Sequence, residues 1–179
     1  MKRLVIVQDV PTQFDMPLYN EIARDGAFRL TVIYTQLCRT RGIDPEIGRA
    51  PQWDHVTEEA YERIDLASTK SRTTTGLVQR IAALEPMLVV VSGYFPSLHR
   101  KIVKPLQKLG FKVGLRSDNT LPHSNFSGVK GLVKRLVLPH WLRRYDSWHP
   151  VGNLASEYLA SVSGAKRPVY MFPYNVDND

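Results

Sequence analysis

Cysteine is nearly absent: Cys38 stands alone among 179 residues. A single cysteine excludes any disulfide within the chain and fits a reducing compartment. No apolar run is long enough to span a bilayer. The opening Met1-Lys2-Arg3 followed by Leu4 to Val7 has the outline of a secretory leader, but its apolar run is too short and Gln8-Asp9 ends it. A strand is expected there instead, in a cytoplasmic protein. The first loop, Gln8 to Phe14, contains no glycine. That excludes the G-x-G-x-x-G dinucleotide fingerprint and the phosphate-binding P-loop, and with them an ordinary nicotinamide dehydrogenase or NTPase. The five histidines, at positions 55, 99, 123, 140 and 149, have no metal-ligand spacing. No bound metal and no tightly held cofactor is expected. A G-x-S-x-G nucleophile elbow is lacking as well.

Acidic residues are scarce in one stretch. From Ser97 to Arg144 there are eleven Lys and Arg against a single acid, Asp118, whereas the remainder carries thirteen bases and sixteen acids. The net charge of +7 is therefore concentrated in the third quarter of the chain. Such asymmetry suits an anionic partner, either a lipid surface or a phosphorylated ligand. Solvated helix faces account for the same residues with no partner at all. No RRM, KH or helix-turn-helix signature accompanies the charge, so nucleic acid is not the expected partner.

What is present is alternation. Arg3 to Val7 is a continuous apolar strand of the kind buried on both faces. Pro17 to Asp25 reads as a helix with Leu18, Tyr19, Ile22 and Ala23 on one side, started by Pro17 and closed by Gly26. Phe28 to Tyr34 is a second strand. Residues Gln36 to Thr75 form a long, less regular excursion, broken by Gly42, Pro45, Gly48 and Pro51, in which some extended structure is expected. Helix Leu77–Leu84 then precedes the most apolar strand, Met87–Tyr94. Helix Ser97–Leu109, strand Phe111–Leu115 and helix Gly128–Leu138 follow. In that last helix Val129, Leu132, Val133, Leu136 and Val137 are expected to face inward, with Lys130 and Lys134 outward. Strand Ser147–Val151, helix Leu154–Val162 and strand Val169–Phe172 complete the pattern. The fold class expected is α/β: a Rossmann-like, mainly parallel sheet with helices on both faces.

Ligands of such sheets bind beyond the carboxyl ends of the strands. The residues to examine there are Thr12 and Gln13, which precede a helix and could donate at its positive end. A hydroxyl capping that helix is the plain alternative for Thr12. Gly93 allows close backbone approach, and Tyr94 offers a ring on which a sugar can stack. His99, one turn into the next helix, reads as structural. Arg116-Ser117-Asp118-Asn119-Thr120 is the densest polar cluster at a strand end, extended by His123, Ser124 and Asn125. Arg116 can pair with phosphate. Asp118 can hold that arginine or accept hydrogen bonds from sugar hydroxyls; a local Arg–Asp pair with an Asx turn is the alternative.

Four segments together resemble the N-terminal domain of family 4 glycosyltransferases of the GT-B fold. They are Val10-Pro11-Thr12-Gln13-Phe14 with Pro17-Leu18-Tyr19-Asn20; the strand ending in Ser92-Gly93-Tyr94; Leu115-Arg116-Ser117-Asp118 and the basic helix after it; and the tail. The tail runs from Val151-Gly152-Asn153 through Glu157-Tyr158-Leu159 and Gly164 to Phe172-Pro173-Tyr174-Asn175-Val176-Asp177. The glycine-rich first loop of many members is missing. The resemblance implies that residues 1–179 form one acceptor-side domain and that the donor-binding domain lies outside this chain. It implies transfer of a sugar from a nucleotide-sugar co-substrate to a glycan or lipid-linked saccharide, without a divalent metal. It places Thr12, Gln13, Gly93, Tyr94, Arg116, Asp118 and His123 in the acceptor cleft and Gly152 and Asn153 on the donor-side wall. Asn175, Val176 and Asp177 become the crossing to the second domain. No catalytic residue is assigned. The domain alone is expected to be inactive, and to sit in the cytoplasm or at the inner face of the cytoplasmic membrane. The rival reading is a non-catalytic basic α/β module for anionic lipid or a phosphorylated ligand.

Overall fold

Six short strands, each preceding or following a helix, assemble into one parallel sheet. The structure is a computed structural model; it describes residues 1–12, 14–36, 59–66, 73–121 and 128–174, the side chains of Val129 and Lys130 excepted. The elements are β1 (Lys2–Gln8), α1 (Met16–Asp25), β2 (Phe28–Tyr34), β3 (Glu62–Asp65), α2 (Thr74–Ala83), β4 (Leu88–Ser92), α3 (Ser97–Lys108), β5 (Lys112–Ser117), α4 (Gly128–Leu142), β6 (Ser147–Pro150) and α5 (Asn153–Ser163). The strand order is β3-β2-β1-β4-β5-β6, and every pairing is parallel. The chain therefore reverses its direction of winding between β1 and β4, which opens a crevice at their carboxyl ends.

The apolar strands β1 and β4 sit at the centre because they can be buried on both sides. Alternate residues feed two cores. Val5, Val7, Val89, Val91, Val113, Leu115 and Trp148 face α2, α3, α4 and α5. Ile6, Leu30, Val32, Tyr34 and Val90 face the other way, against Tyr19 of α1. Helices occupy both faces as expected, but four lie on one and one on the other. Beneath α1, toward the amino ends of β1 and β4, Ile22, Leu88, Val90, His149, Met171 and Phe172 bound a mostly apolar groove of about 470 Å³. Helix α1 ends where Gly26 takes a positive φ of 72°, and α5 ends at Gly164 with φ 59°, conformations that favour glycine.

The extended structure expected in the excursion after β2 is a strand: β3 pairs with β2 along the sheet edge. Of its four residues only Ile64 is buried, so it is too short and polar to show a periodic signal. Its charges are paired instead, Arg3 with Glu62 at 3.3 Å and Arg63 with Glu59 and Asp65 at 2.6 and 2.9 Å. Two other expectations change. The last strand is not a full member of the sheet. Residues 168–172 run beside β6 through three backbone hydrogen bonds, with one isolated bridge between Trp148 and Val169.

Helix α4 is turned relative to expectation. Leu138 and Leu142, in its second half, enter the core, while Leu132, Val133 and Leu136 are exposed, Leu136 by 71%. The apolar stripe is real, but among the described side chains of the helix those that enter the hydrophobic core lie in its C-terminal part. Among the described residues no helix is long and apolar enough to cross a membrane.

Candidate functional site at the carboxyl edge of the sheet

The loops after β1, β4, β5 and β6 meet at one edge, and a buried ion pair organises their centre. Arg116, in β5, donates from Nη1 to Asp15 Oδ1 at 2.5 Å, with side-chain exposures of only 3% and 4%. Asp15 Oδ2 accepts from Gln8 Nε2 and from Thr12 Oγ1, both at 2.6 Å. Tyr19 in turn donates to Gln8 Oε1 at 2.5 Å. Burial opposes the charge on Arg116, but the Asp15 carboxylate beside it works the other way, and its pKa moves up. Burial, reinforced by Asp15, raises the Tyr19 pKa as well, so its phenol stays a donor.

The tail closes over this pair. Arg116 Nε donates to the Phe172 carbonyl at 3.4 Å. Its guanidinium carbon lies 4.8 Å from the Phe172 ring centre and 4.9 Å from that of Tyr174. Tyr174 reaches on to Asp118, donating to Oδ2 at 2.9 Å. Thr12, Arg116 and Asp118 therefore belong to one connected network, joined through Asp15 and Tyr174. The carboxylate that holds Arg116 is Asp15, not Asp118, which is exposed and accepts from Tyr174. Thr12 spends its hydroxyl on Asp15 and does not cap α1.

Gly93 has a positive φ of 77°, and a Cβ placed on it would meet nothing within 4 Å. Its N–H donates to the Arg116 carbonyl at 2.9 Å, tying the β4 loop to β5. Among the described residues none crowds that Cβ position, as close backbone approach requires. Tyr94 differs from expectation. It is 1% exposed and its hydroxyl hydrogen-bonds that of Tyr158 at 2.9 Å, so its ring is part of the core. The exposed ring is the next one, Phe95, stacked on Tyr94 at 4.8 Å. Both rings lie in the loop beyond β4, after the positive φ of Gly93 has broken the strand's alternation, so no strand period tells which of them is buried.

Gly152 and Asn153 begin α5 directly after β6, and the Val151 N–H donates to the Ser117 carbonyl at 3.1 Å. They flank the same edge. Gln13, His123 and Asn175, Val176 and Asp177 lie outside the described residues. Among the described residues no group of three or more His, Cys, Asp or Glu could hold a metal ion.

Sequence reasoning passed over Asp9, Asp15 and Thr35. Asp9 stands at the mouth of the crevice, its Oδ1 accepting from Thr35 Oγ1 at 2.5 Å. The available signal was an acid directly following the first strand, at the end where ligands bind.

No protein-family model and no curated protein matches the chain. Among solved structures it resembles a crystal structure assigned as a UDP-N-acetylglucosamine 2-epimerase from Listeria monocytogenes. The TM-score is 0.57 at 16% identity, over 95% of this chain and 44% of the other. The fold is that of a GT-B-like domain. This chain spans less than half the length of that relative.

Proposed function

We propose that this domain is the acceptor-side half of a sugar-nucleotide-dependent glycosyltransferase. The observation that supports the reading is what meets at one sheet edge: Thr12, Arg116 and Asp118 joined in one network, Gly93 bonded to the Arg116 carbonyl, and Gly152 and Asn153 opening α5 after β6. A carboxylate such as Asp118 suits sugar hydroxyls, and the backbone at Gly93 and Gly152 leaves room for them. The likeness to an enzyme named for a UDP-sugar supports the nucleotide-sugar part of the reading. Gln13 and His123 belong to the same proposed cleft, and Asn175 to Asp177 to the crossing toward a donor-binding domain. Transfer, rather than epimerisation, follows from the family 4 resemblance of the four sequence segments.

The test is amide chemical-shift mapping with a short oligosaccharide and, separately, with UDP. The reading expects the saccharide to perturb amides at Asp9 to Thr12, Gly93 to Phe95, Ser117 to Asn119 and Val151 to Asn153, and UDP to bind weakly. Saccharide shifts confined to the groove under α1 would overturn it. The isolated domain is expected to transfer no sugar, and measurable turnover by these 179 residues would refute that part.

A membrane contact forms the second part of the proposal. Leu132, Val133 and Leu136 project from α4 within a stretch whose only acid is Asp118, with Lys134 and Arg135 beside them. An apolar ridge flanked by cations suits an anionic lipid surface. Helix α4 follows β5, so its first half lies at the same edge as the cleft. A lipid-linked acceptor held there would be presented to the site directly.

A further inference from the structure

His99 is wholly buried in α3, and its ring is gripped from both sides. Nδ1 lies 3.0 Å from the Ser92 carbonyl oxygen and 3.3 Å from that of Gly93. Carbonyl oxygens only accept, so Nδ1 must carry the hydrogen. In the neutral ring Nε2 is then a bare lone pair. It lies 3.4 Å from Asp9 Oδ1 and has no hydrogen-bond partner. Two acceptors thus face each other in a protected place, a contact that one added proton would turn from repulsive to bonded. The opposite tautomer is worse, because it would set bare Nδ1 against two carbonyls.

The surroundings keep that proton off until it is delivered. Burial pushes His99 below its ordinary range; Asp9 and the two carbonyls work the other way, and Arg100 adds to the lowering. Asp9 and Arg100 are the charged groups acting on the ring. The end of β4 contributes only carbonyls, and the turn after β2 contributes Thr35, whose hydroxyl holds Asp9 Oδ1. Asp9 is 31% exposed and follows β1 at the carboxyl edge of the sheet, where ligands of such sheets bind.

We propose that Asp9 is the proton acceptor of this cleft and that His99 is its positioning residue, setting Nε2 against Asp9 as a second acceptor. This rests on the transferase reading for its reaction. An acceptor hydroxyl loses its proton to the outer oxygen of Asp9, and the O–H electron pair stays on the hydroxyl oxygen. That oxygen bonds the donor's anomeric carbon as the bond from that carbon to phosphate breaks. The leaving nucleoside diphosphate keeps those electrons. Once Asp9 is protonated on its outer oxygen, a half-turn of the whole carboxyl group brings the new hydrogen to Nε2 and relieves the facing lone pairs, with the other oxygen left outward.

The experiment is histidine side-chain NMR on the ¹⁵N-labelled protein, with His99→Asn assigning the ring. Above neutrality the ring is expected as the Nδ1–H tautomer with Nε2 bare, and acidification should protonate Nε2 in one step. In Asp9→Asn the midpoint of that step should fall by about one pH unit or more, since an opposite charge is removed. An Nε2–H tautomer above neutrality, or a midpoint that Asp9→Asn leaves in place, would overturn the proposal. If Asp9→Asn does not fold, the wild-type tautomer decides alone. No sugar or nucleotide is present in this measurement, so its failure is separate from a failure of the saccharide mapping.

Discussion

Removing Asp15 should be among the most damaging single changes in the domain. Asp15→Ala leaves the Arg116 guanidinium, 3% exposed, without its carboxylate. It also strips the acceptor from Gln8 and Thr12. Nη2 of Arg116 already lacks a hydrogen-bond partner, so no spare acceptor stands ready. The cost of stranding a buried charge is about 3–5 kcal/mol. For a domain of this size that lowers Tm by roughly 10 °C. Arg116→Met alone strands the carboxylate, although Gln8 and Thr12 still donate to it, so its cost should lie near the lower end of that range. The double variant Asp15→Ala/Arg116→Met removes both charges. Its cost should undercut the sum of the singles by about 2 kcal/mol or more, because neither charge is left unpaired. Urea unfolding of the four proteins measures the cycle. Single-variant losses below about 1 kcal/mol, or additivity within about 0.5 kcal/mol, would refute the claim that this pair is buried and mutually compensated.

Gly114→Ala places a Cβ 2.4 Å from His149 Nε2 and 3.0 Å from Ser147 Oγ, so it should cost about 1–3 kcal/mol by urea unfolding, and much less in a His149→Ala background. Burial lowers the His149 pKa to about 4. The folded state thus refuses a proton that the unfolded state takes at 6.5, and stability is full above pH 6.5 and lost as pH falls toward 4. The loss totals roughly 3 kcal/mol, and His149→Gln should flatten that part of the pH profile by an equal amount. Replacing Leu132, Val133 and Leu136 together by serine should abolish sedimentation with phosphatidylglycerol vesicles while shifting stability by only about 0.5 kcal/mol per site. Undiminished sedimentation would sink the lipid contact.

The α/β class was legible because it is written locally. The apolar runs of β1 and β4, the glycines that end α1 and α5 and the switch between periods of two and 3.6 residues all lie within a few neighbours of one another. Arg116, Asp118 and Gly93 could be picked out for the same reason, as polar or glycine residues at the ends of readable strands. Local pattern was silent where the deciding partner is remote. Arg116 was seen beside Asp118, but it pairs with Asp15, 101 residues away. His99 looked like an ordinary helix histidine until Asp9 was set against its ring. The stripe on α4 was correct as a stripe and misdirected as a face, because periodicity says that apolar residues align and not what they meet. By itself, then, the sequence determined the elements, their alternation and the edge at which to look. The tertiary structure alone decided the strand order, the ion pair under the tail and the Asp9–His99 contact, because each depends on which distant segments burial brings within hydrogen-bond reach.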